Sequence, residues 1–175
     1  MHSNIVLIGF MGSGKTTVGR MLSEYLEYDF LDTDCEVEKI AGMAVGQIFE
    51  NYGESRFRNL EIQVVEAASK NDKIVISTGG GIVLNERNII NLSKKGYIIY
   101  LKADVEKIYN NLKDDNTRPL LASVNSYSEK IEKIEKLLSV RENLYDSCSQ
   151  LCVDTVDKNL EQCFEYIKKS IEAKI

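Results

Sequence analysis

Short apolar runs rich in Ile and Val alternate along this chain with longer segments in which apolar residues recur at helical spacing. Runs of the first kind are Ile5–Ile8, Phe30–Leu31 leading into Asp32, Ile74–Ser77, Tyr97–Leu101 and Leu151–Val153. Each has the length and continuity of a strand buried in a parallel sheet. Between them, Val45, Ile48, Phe49 and Tyr52 fit the i, i+3, i+4, i+7 pattern, and so do Leu160, Cys163, Phe164 and Ile167. Both stripes are expected to face a core. From Ser128 to Tyr145, Ile131, Ile134, Leu137, Leu138 and Leu144 stand among alternating Glu and Lys, which predicts a helix with one solvated charged face. The alternation predicts an α/β fold, a parallel sheet of five strands with helices on both faces.

With 175 residues, no internal repeat and a single proline, Pro119, nothing divides the chain, so one domain over 1–175 is expected. Its core is predicted over 4–34, 61–113 and 129–171. A largely helical insertion falls at 35–60, and the polar stretch at about 114–128 offers little apolar surface to bury. The net charge of −5 leaves no basic surface for a phosphate backbone, so nucleic acid is not an expected partner. No apolar run approaches the roughly 20 residues of a membrane span, and the start, Met1-His2-Ser3-Asn4, lacks the basic flank of a signal peptide; a cytoplasmic protein is expected. The cysteines, at 35, 148, 152 and 163, form no CxxC pair and read as free thiols. His2 is the only histidine, which removes histidine triads and leaves Cys148 and Cys152 without partners for a zinc site.

Directly after the first strand comes Gly9-Phe10-Met11-Gly12-Ser13-Gly14-Lys15-Thr16, which satisfies GxxxxGK[ST] and precedes a helix-compatible run. Gly12 and Gly14 let the backbone curl so that N–H groups, including those of Ser13, Thr16 and Thr17, point at phosphate oxygens. Lys15 would reach the β- and γ-phosphates, and Thr16 offers its hydroxyl to Mg²⁺. The motif names a nucleotide, though not a reaction.

Asp32 and Asp34 follow the second strand as Leu31-Asp32-Thr33-Asp34, and two residues apart on extended backbone they would share one face. Asp32 is placed to hold Mg²⁺ through water and Asp34 to accept a hydrogen bond from an acceptor hydroxyl; alternatively the pair is a solvated turn that caps the next helix. Gly79-Gly80-Gly81 closes the third strand, either as a tight turn or where a substrate approaches the backbone. Arginine is scarce, with 6 against 16 lysines, and Arg58, Arg118 and Arg141 are the forks suited to a carboxylate or a transferring phosphoryl group.

Taken in order, GFMGSGKT at 9–16, DTD at 32–34, GESRFR at 53–58, TGGG at 78–81, RPLL at 118–121 and RENLY at 141–145 resemble the shikimate kinase family. The resemblance runs from residue 4 to about 157. It implies a nucleoside-monophosphate-kinase-like P-loop fold with sheet order 2-3-1-4-5, and transfer of the ATP γ-phosphoryl to the 3-hydroxyl of shikimate in aromatic amino-acid biosynthesis. Carried onto matching positions, Lys15 and Arg118 stabilise the transferring phosphoryl, while Thr16 and Asp32 serve Mg²⁺. Asp34 binds the substrate hydroxyls, Arg58 and Arg141 clamp its carboxylate, and the Gly79–Gly81 backbone completes that site. Arg118 would ride on a lid that closes over ATP.

Two features depart from the family. The arginine common near the adenine, in the helix before the lid, is missing from Tyr109-Asn110-Asn111-Leu112-Lys113, where Lys113 is the nearest basic residue. Asn143 stands where the family commonly has proline. Adenine contacts are expected from Val153-Asp154-Thr155 and the loop that follows. Gluconate and nucleotide kinases share the phosphate loop and lid but not the combination of DTD, FR and GGG. A noncatalytic nucleotide-binding module would not need the full set of phosphoryl-transfer residues. A monomer is expected, because one core accounts for the apolar stripes.

Overall fold

A computed structural model describes residues 2–113, 115, 121 and 126–172. Its first strand, β1 (Asn4–Ile8), is the centre of the fold, and its alternating side chains define the two cores. Ile5 and Leu7 face one side of the sheet, Val6 and Ile8 the other, and all four are fully buried. At about 2 kcal/mol for each fully buried aliphatic side chain, this strand anchors both layers.

Around it, in chain order, run α1 (Lys15–Leu26), β2 (Asp29–Asp32), α2 (Thr33–Ala41), α3 (Val45–Ala68), β3 (Ile74–Ser77), a short 3₁₀ turn (Ile82–Leu84), α4 (Glu86–Ser93), β4 (Gly96–Lys102), α5 (Val105–Leu112), α6 (Tyr127–Cys148), β5 (Leu151–Asp154) and α7 (Leu160–Ile171). The five strands are all parallel in the order β2-β3-β1-β4-β5. Val18 and Leu22 of α1 join Cys163 and Ile167 of α7 over the Ile5/Leu7 face. Val65 of α3, Leu92 of α4, Ile108 of α5 and Ile134 of α6 cover the Val6/Ile8 face. This is the three-layer α/β/α arrangement expected from the alternation. The chain runs from β1 to one side of the sheet, to β2 and β3, and then crosses to β4 on the other side of β1, so the crevice opens at the carboxyl ends of β1 and its neighbours.

Three expectations need correction. β2 and β5 are not buried strands but the two edges of the sheet, and in β5 only Val153 is buried. Tyr52 does not join the core stripe of α3: it is 61% exposed, directly before Gly53 (φ 77°, ψ 170°), which breaks the helix, while Ile48 one turn earlier stays buried. Leu144 and Leu160 are likewise exposed. Beyond the break, Phe57, Leu60 and Val64 pack with Val37 and Ile48 into a small separate cluster that supports α2 and α3. Much of the polar stretch at 114–128, including Arg118, lies outside the described residues, and its last two residues begin α6.

Candidate active site

The loop between β1 and α1 curls as its glycines allow. Gly12 and Gly14 have φ of 76° and 92°, and Gly14 forms the N-terminal cap of α1 with no side-chain hydrogen bond to the helix start. The first N–H groups of α1 are thus left for an anion, with the positive end of the helix dipole behind them. Ser13 is buried and its N–H donates to the Phe10 carbonyl at 3.2 Å, which tightens the curl. Lys15, only 7% exposed, folds back so that Nζ donates to the Phe10 carbonyl at 2.8 Å and approaches Ser13 Oγ at 3.4 Å. Thr16 and Thr17 face the cleft above it.

Only the first of the two carboxylates sits on extended backbone. Asp32 ends β2 and caps α2: its Oδ1 accepts from the N–H groups of Asp34 and Cys35 at 3.1 and 3.4 Å. Its Oδ2 accepts from the Thr16 hydroxyl at 2.8 Å, and Ser77 Oγ lies 3.3 Å from that hydroxyl. Capping and site formation are therefore one arrangement of one side chain, not alternatives. Asp34 lies in the first turn of α2, held over the glycine strand end by helix geometry. Parallel pairing of Asp32 with Ser77 brings the two strand ends together.

Gly79 and Gly81 let the Asp34 carboxylate and the Arg58 guanidinium approach the backbone closely. A Cβ on Gly79 would lie 2.5 Å from Asp34 Oδ1 and 3.1 Å from Glu61 Oε1; one on Gly81 would lie 2.6 Å from Arg58 Nη1. The Gly79 N–H donates to Thr33 Oγ1 at 2.9 Å, and the Gly80 carbonyl accepts from Arg141 Nη1 at 3.2 Å and from the Tyr145 hydroxyl. Burial holds the Tyr145 phenol above its ordinary pKa, so it remains a donor.

Arg58 and Arg141 come from different helices, α3 and α6. Arg141 is 4% exposed and stacks over Phe10 at 5.5 Å. Arg58 is gripped on both sides: Nη1 donates to the Glu61 carboxylate at 3.1 and 3.2 Å, and Nε and Nη2 donate to Glu54 Oε1 at 3.1 and 2.9 Å. Glu61 was not legible as a site residue. It is fully buried, and burial pushes its carboxyl up to about 7, against the partly compensating Arg58 charge. The signal was a charged residue inside the apolar stripe of Phe57, Leu60, Val64 and Val65. Tyr145, Thr33 and Ser77 were missed as supports because their roles arise from strands and helices distant in sequence.

The site opens into one cleft of about 1210 Å³, more than one small ligand needs. Lys15, Thr16, Asp32, Asp34, Arg58, Arg141 and the Gly79–Gly81 backbone all border it. Of the stretch from which adenine contacts are expected, Thr155 and the following Lys158 line the cleft, whereas Val153 is buried in the core. Lys113 does not line the cleft; Lys107 and Asn111 of the same helix do. Arg118, the remaining expected site residue, lies outside the described residues.

For Mg²⁺ the available donors fit: a hydroxyl and a carboxylate 2.8 Å apart are hard oxygen ligands beside a phosphate loop. Among the described residues no cluster of three or more His, Cys, Asp or Glu forms a metal cage. That matches an ion shared with phosphates and water.

Fold and site together define a P-loop kinase: a nucleotide cradle meets a small-acceptor pocket furnished with guanidinium groups and a carboxylate. The model of the shikimate kinase family matches residues 11–172, and the chain belongs to that family. It is 48% identical over 145 residues to the shikimate kinase of Caldicellulosiruptor bescii, covering 83% of this chain and 82% of that one. The shikimate kinase of Caldanaerobacter subterraneus subsp. tengcongensis is 46% identical over 164 residues, covering 94% and 93%. Among solved structures, the shikimate kinase from Acinetobacter baumannii in complex with shikimate superposes with a TM-score of 0.91 at 34% identity, covering 99% of this chain and 94% of that one. Membership makes the chain an ATP-dependent kinase that works with Mg²⁺.

Proposed function

We propose that the cleft transfers the γ-phosphoryl group of ATP to the 3-hydroxyl of shikimate, with the acceptor held between Asp34, Arg58, Arg141 and the Gly79–Gly81 backbone. The observation that carries this is the convergence of two guanidinium groups from α3 and α6 and one carboxylate from α2 on a glycine strand end beside a phosphate loop. Shikimate has one carboxylate and three hydroxyls, and planar forks suit the former while a carboxylate and backbone N–H groups suit the latter.

Phosphates bind to the N–H groups of Gly12–Thr17, with Lys15 drawn from its internal carbonyl partner to the β- and γ-phosphates. Thr16 and Asp32 would hold Mg²⁺, which would neutralise phosphate charge when bound. The 3-hydroxyl oxygen forms the new bond to γ-phosphorus as the bond to the β–γ bridging oxygen breaks, and ADP leaves. Asp34 orients the hydroxyl and receives its proton as the new bond forms; positioning and charge stabilisation, not strong base catalysis, lower the barrier. Arg118, on the lid at about 114–128, completes charge stabilisation once water is excluded.

The same reading makes 1–175 one kinase domain with its acceptor-binding insertion at 35–60, working as a cytoplasmic monomer without nucleic-acid partners. Its supports are the net charge of −5 and the finding that no helix among the described residues is long and apolar enough to cross a membrane. Regiochemistry tests the acceptor geometry: in the NMR spectrum of the product, phosphorus should couple to the proton on C3. Coupling to the proton on C4 or C5 would contradict it.

A further inference from the structure

Helix α5 grips two walls of the cleft at once. Lys107 and Asn111 are four residues apart and therefore share one face of the helix. Asn111 Nδ2 donates to the Gly12 carbonyl in the phosphate loop at 2.7 Å. Lys107 Nζ donates to the carbonyls of Thr155, Lys158 (2.7 Å) and Val156 (3.4 Å), all in the turn between β5 and α7. An ammonium has three N–H donors and no acceptor, so a single charge gathers three carbonyls of one turn.

Lys107 is also misplaced for its own helix. It stands in the first turn of α5, where its backbone N–H is capped by Asp104 Oδ1 at 2.8 Å and the helix dipole disfavours a cation. The carbonyls supply the negative end that the helix start lacks. Besides Lys107, the turn is tied to β4, where the Lys102 carbonyl accepts from Thr155 N–H, and within itself, where Val156 N–H donates to Asp154 Oδ1 and Lys158 N–H to the Thr155 carbonyl. None of those hydrogen bonds reaches the phosphate loop. Thr155, 2% exposed, keeps a hydroxyl without a hydrogen-bond partner among the described residues.

We infer that Lys107 is a positioning residue: with Asn111 it makes α5 a strut that fixes the spacing between the phosphate loop and the 155–158 turn, against which the nucleoside of ATP lies. This rests on the ATP-binding reading of the cleft. With phosphates in the loop and the acceptor at Asp34, Arg58 and Arg141, the nucleoside runs toward the end lined by Lys107, Asn111, Thr155 and Lys158. Of the two strut residues only Asn111 bonds the phosphate loop; the side-chain hydrogen bonds of Lys107 all go to the turn. The effect of Lys107 therefore falls on the nucleoside alone.

The test compares ADP with inorganic tripolyphosphate, which carries phosphates and no nucleoside, as ligands of the full chain and of Lys107→Met and Lys107→Arg. Losing a set of charge-assisted hydrogen bonds should weaken ADP binding and raise the ATP KM about tenfold in Lys107→Met. Tripolyphosphate affinity, the shikimate KM and kcat at saturating ATP should stay within about twofold of the parent, and Lys107→Arg should recover most of the ADP affinity. Equal weakening of tripolyphosphate and ADP, a parallel rise in the shikimate KM, or unchanged ADP affinity would each overturn the inference. A parent chain that bound neither ligand would overturn the nucleotide reading, and the inference with it. Should Lys107→Met fail to fold, the same comparison on Lys107→Gln decides.

Discussion

Arg58 and Arg141 line the cleft, and the proposed division of roles between these two as carboxylate clamps and Arg118 as the phosphoryl-stabilising arginine predicts two different kinetic signatures. Removing a guanidinium from a substrate carboxylate should raise the shikimate KM about 10- to 100-fold in Arg58→Ala and Arg141→Ala. Arg118→Ala should instead lower kcat by about 100-fold or more, as loss of transition-state charge stabilisation does, with little change in the shikimate KM. Steady-state kinetics check the division; equal effects of all three on both constants would contradict it. Glu61 adds a pH signature. Its carboxyl is raised from an ordinary 4.5 to about 7 by burial, so the folded chain holds this proton more tightly than the unfolded chain. The stability contributed is full below pH 4.5 and lost as pH rises through about 7. Between pH 5 and 8 the parent should therefore lose stability relative to Glu61→Gln, by up to about 3 kcal/mol. Denaturant melts at both pH values measure this, and a pH-independent difference would refute it. The candidate ligands for phosphate, Mg²⁺ and carboxylate were legible as residue types in short motifs. Glu61 was not, because a buried carboxylate is distinguished by what packs around it, and those neighbours come from α2, α3 and the glycine strand end.

At the scale of elements, the break at Gly53 directs the half of α3 that carries Arg58 and Glu61. Its φ of 77° with ψ of 170° is a conformation that other residues reach only with strain. Nothing lies within 4 Å of where a Cβ on Gly53 would be, so Gly53→Ala isolates backbone strain from steric conflict. It should cost about 1–3 kcal/mol of stability and raise the shikimate KM by redirecting Arg58, with the ATP KM unchanged. Thermal melts and kinetics on that variant test both parts. Strands were legible because Ile and Val runs of β1, β3 and β4 are buried on both faces. The edges β2 and β5 read as equally buried because periodicity reports apolar content and not the number of neighbours. Asp34 was assigned to extended backbone for a related reason: the strand ends at Asp32 because that side chain caps α2, a tertiary choice also tied to Thr16. Tyr52 fits the helical stripe by spacing, but it is the last residue before the break at Gly53 and is exposed, whereas Ile48 of the same stripe is buried.

Over the whole molecule, parallel strand order sets which loops meet. β1 lies between β3 and β4, so the phosphate loop after β1 faces the glycine end of β3, and the turn after β5 closes the far end of the cleft. That juxtaposition turns dispersed motifs into one site, and family resemblance, more than spacing, made the order legible in advance. The most direct measurement is Mg²⁺-dependent ADP release from ATP by the purified chain, with shikimate, gluconate and a set of nucleoside monophosphates offered separately. The account predicts release stimulated by shikimate alone and abolished when Mg²⁺ is chelated. Stimulation by gluconate or a nucleoside monophosphate in its place, or silence with every acceptor despite measurable ATP binding, would contradict it.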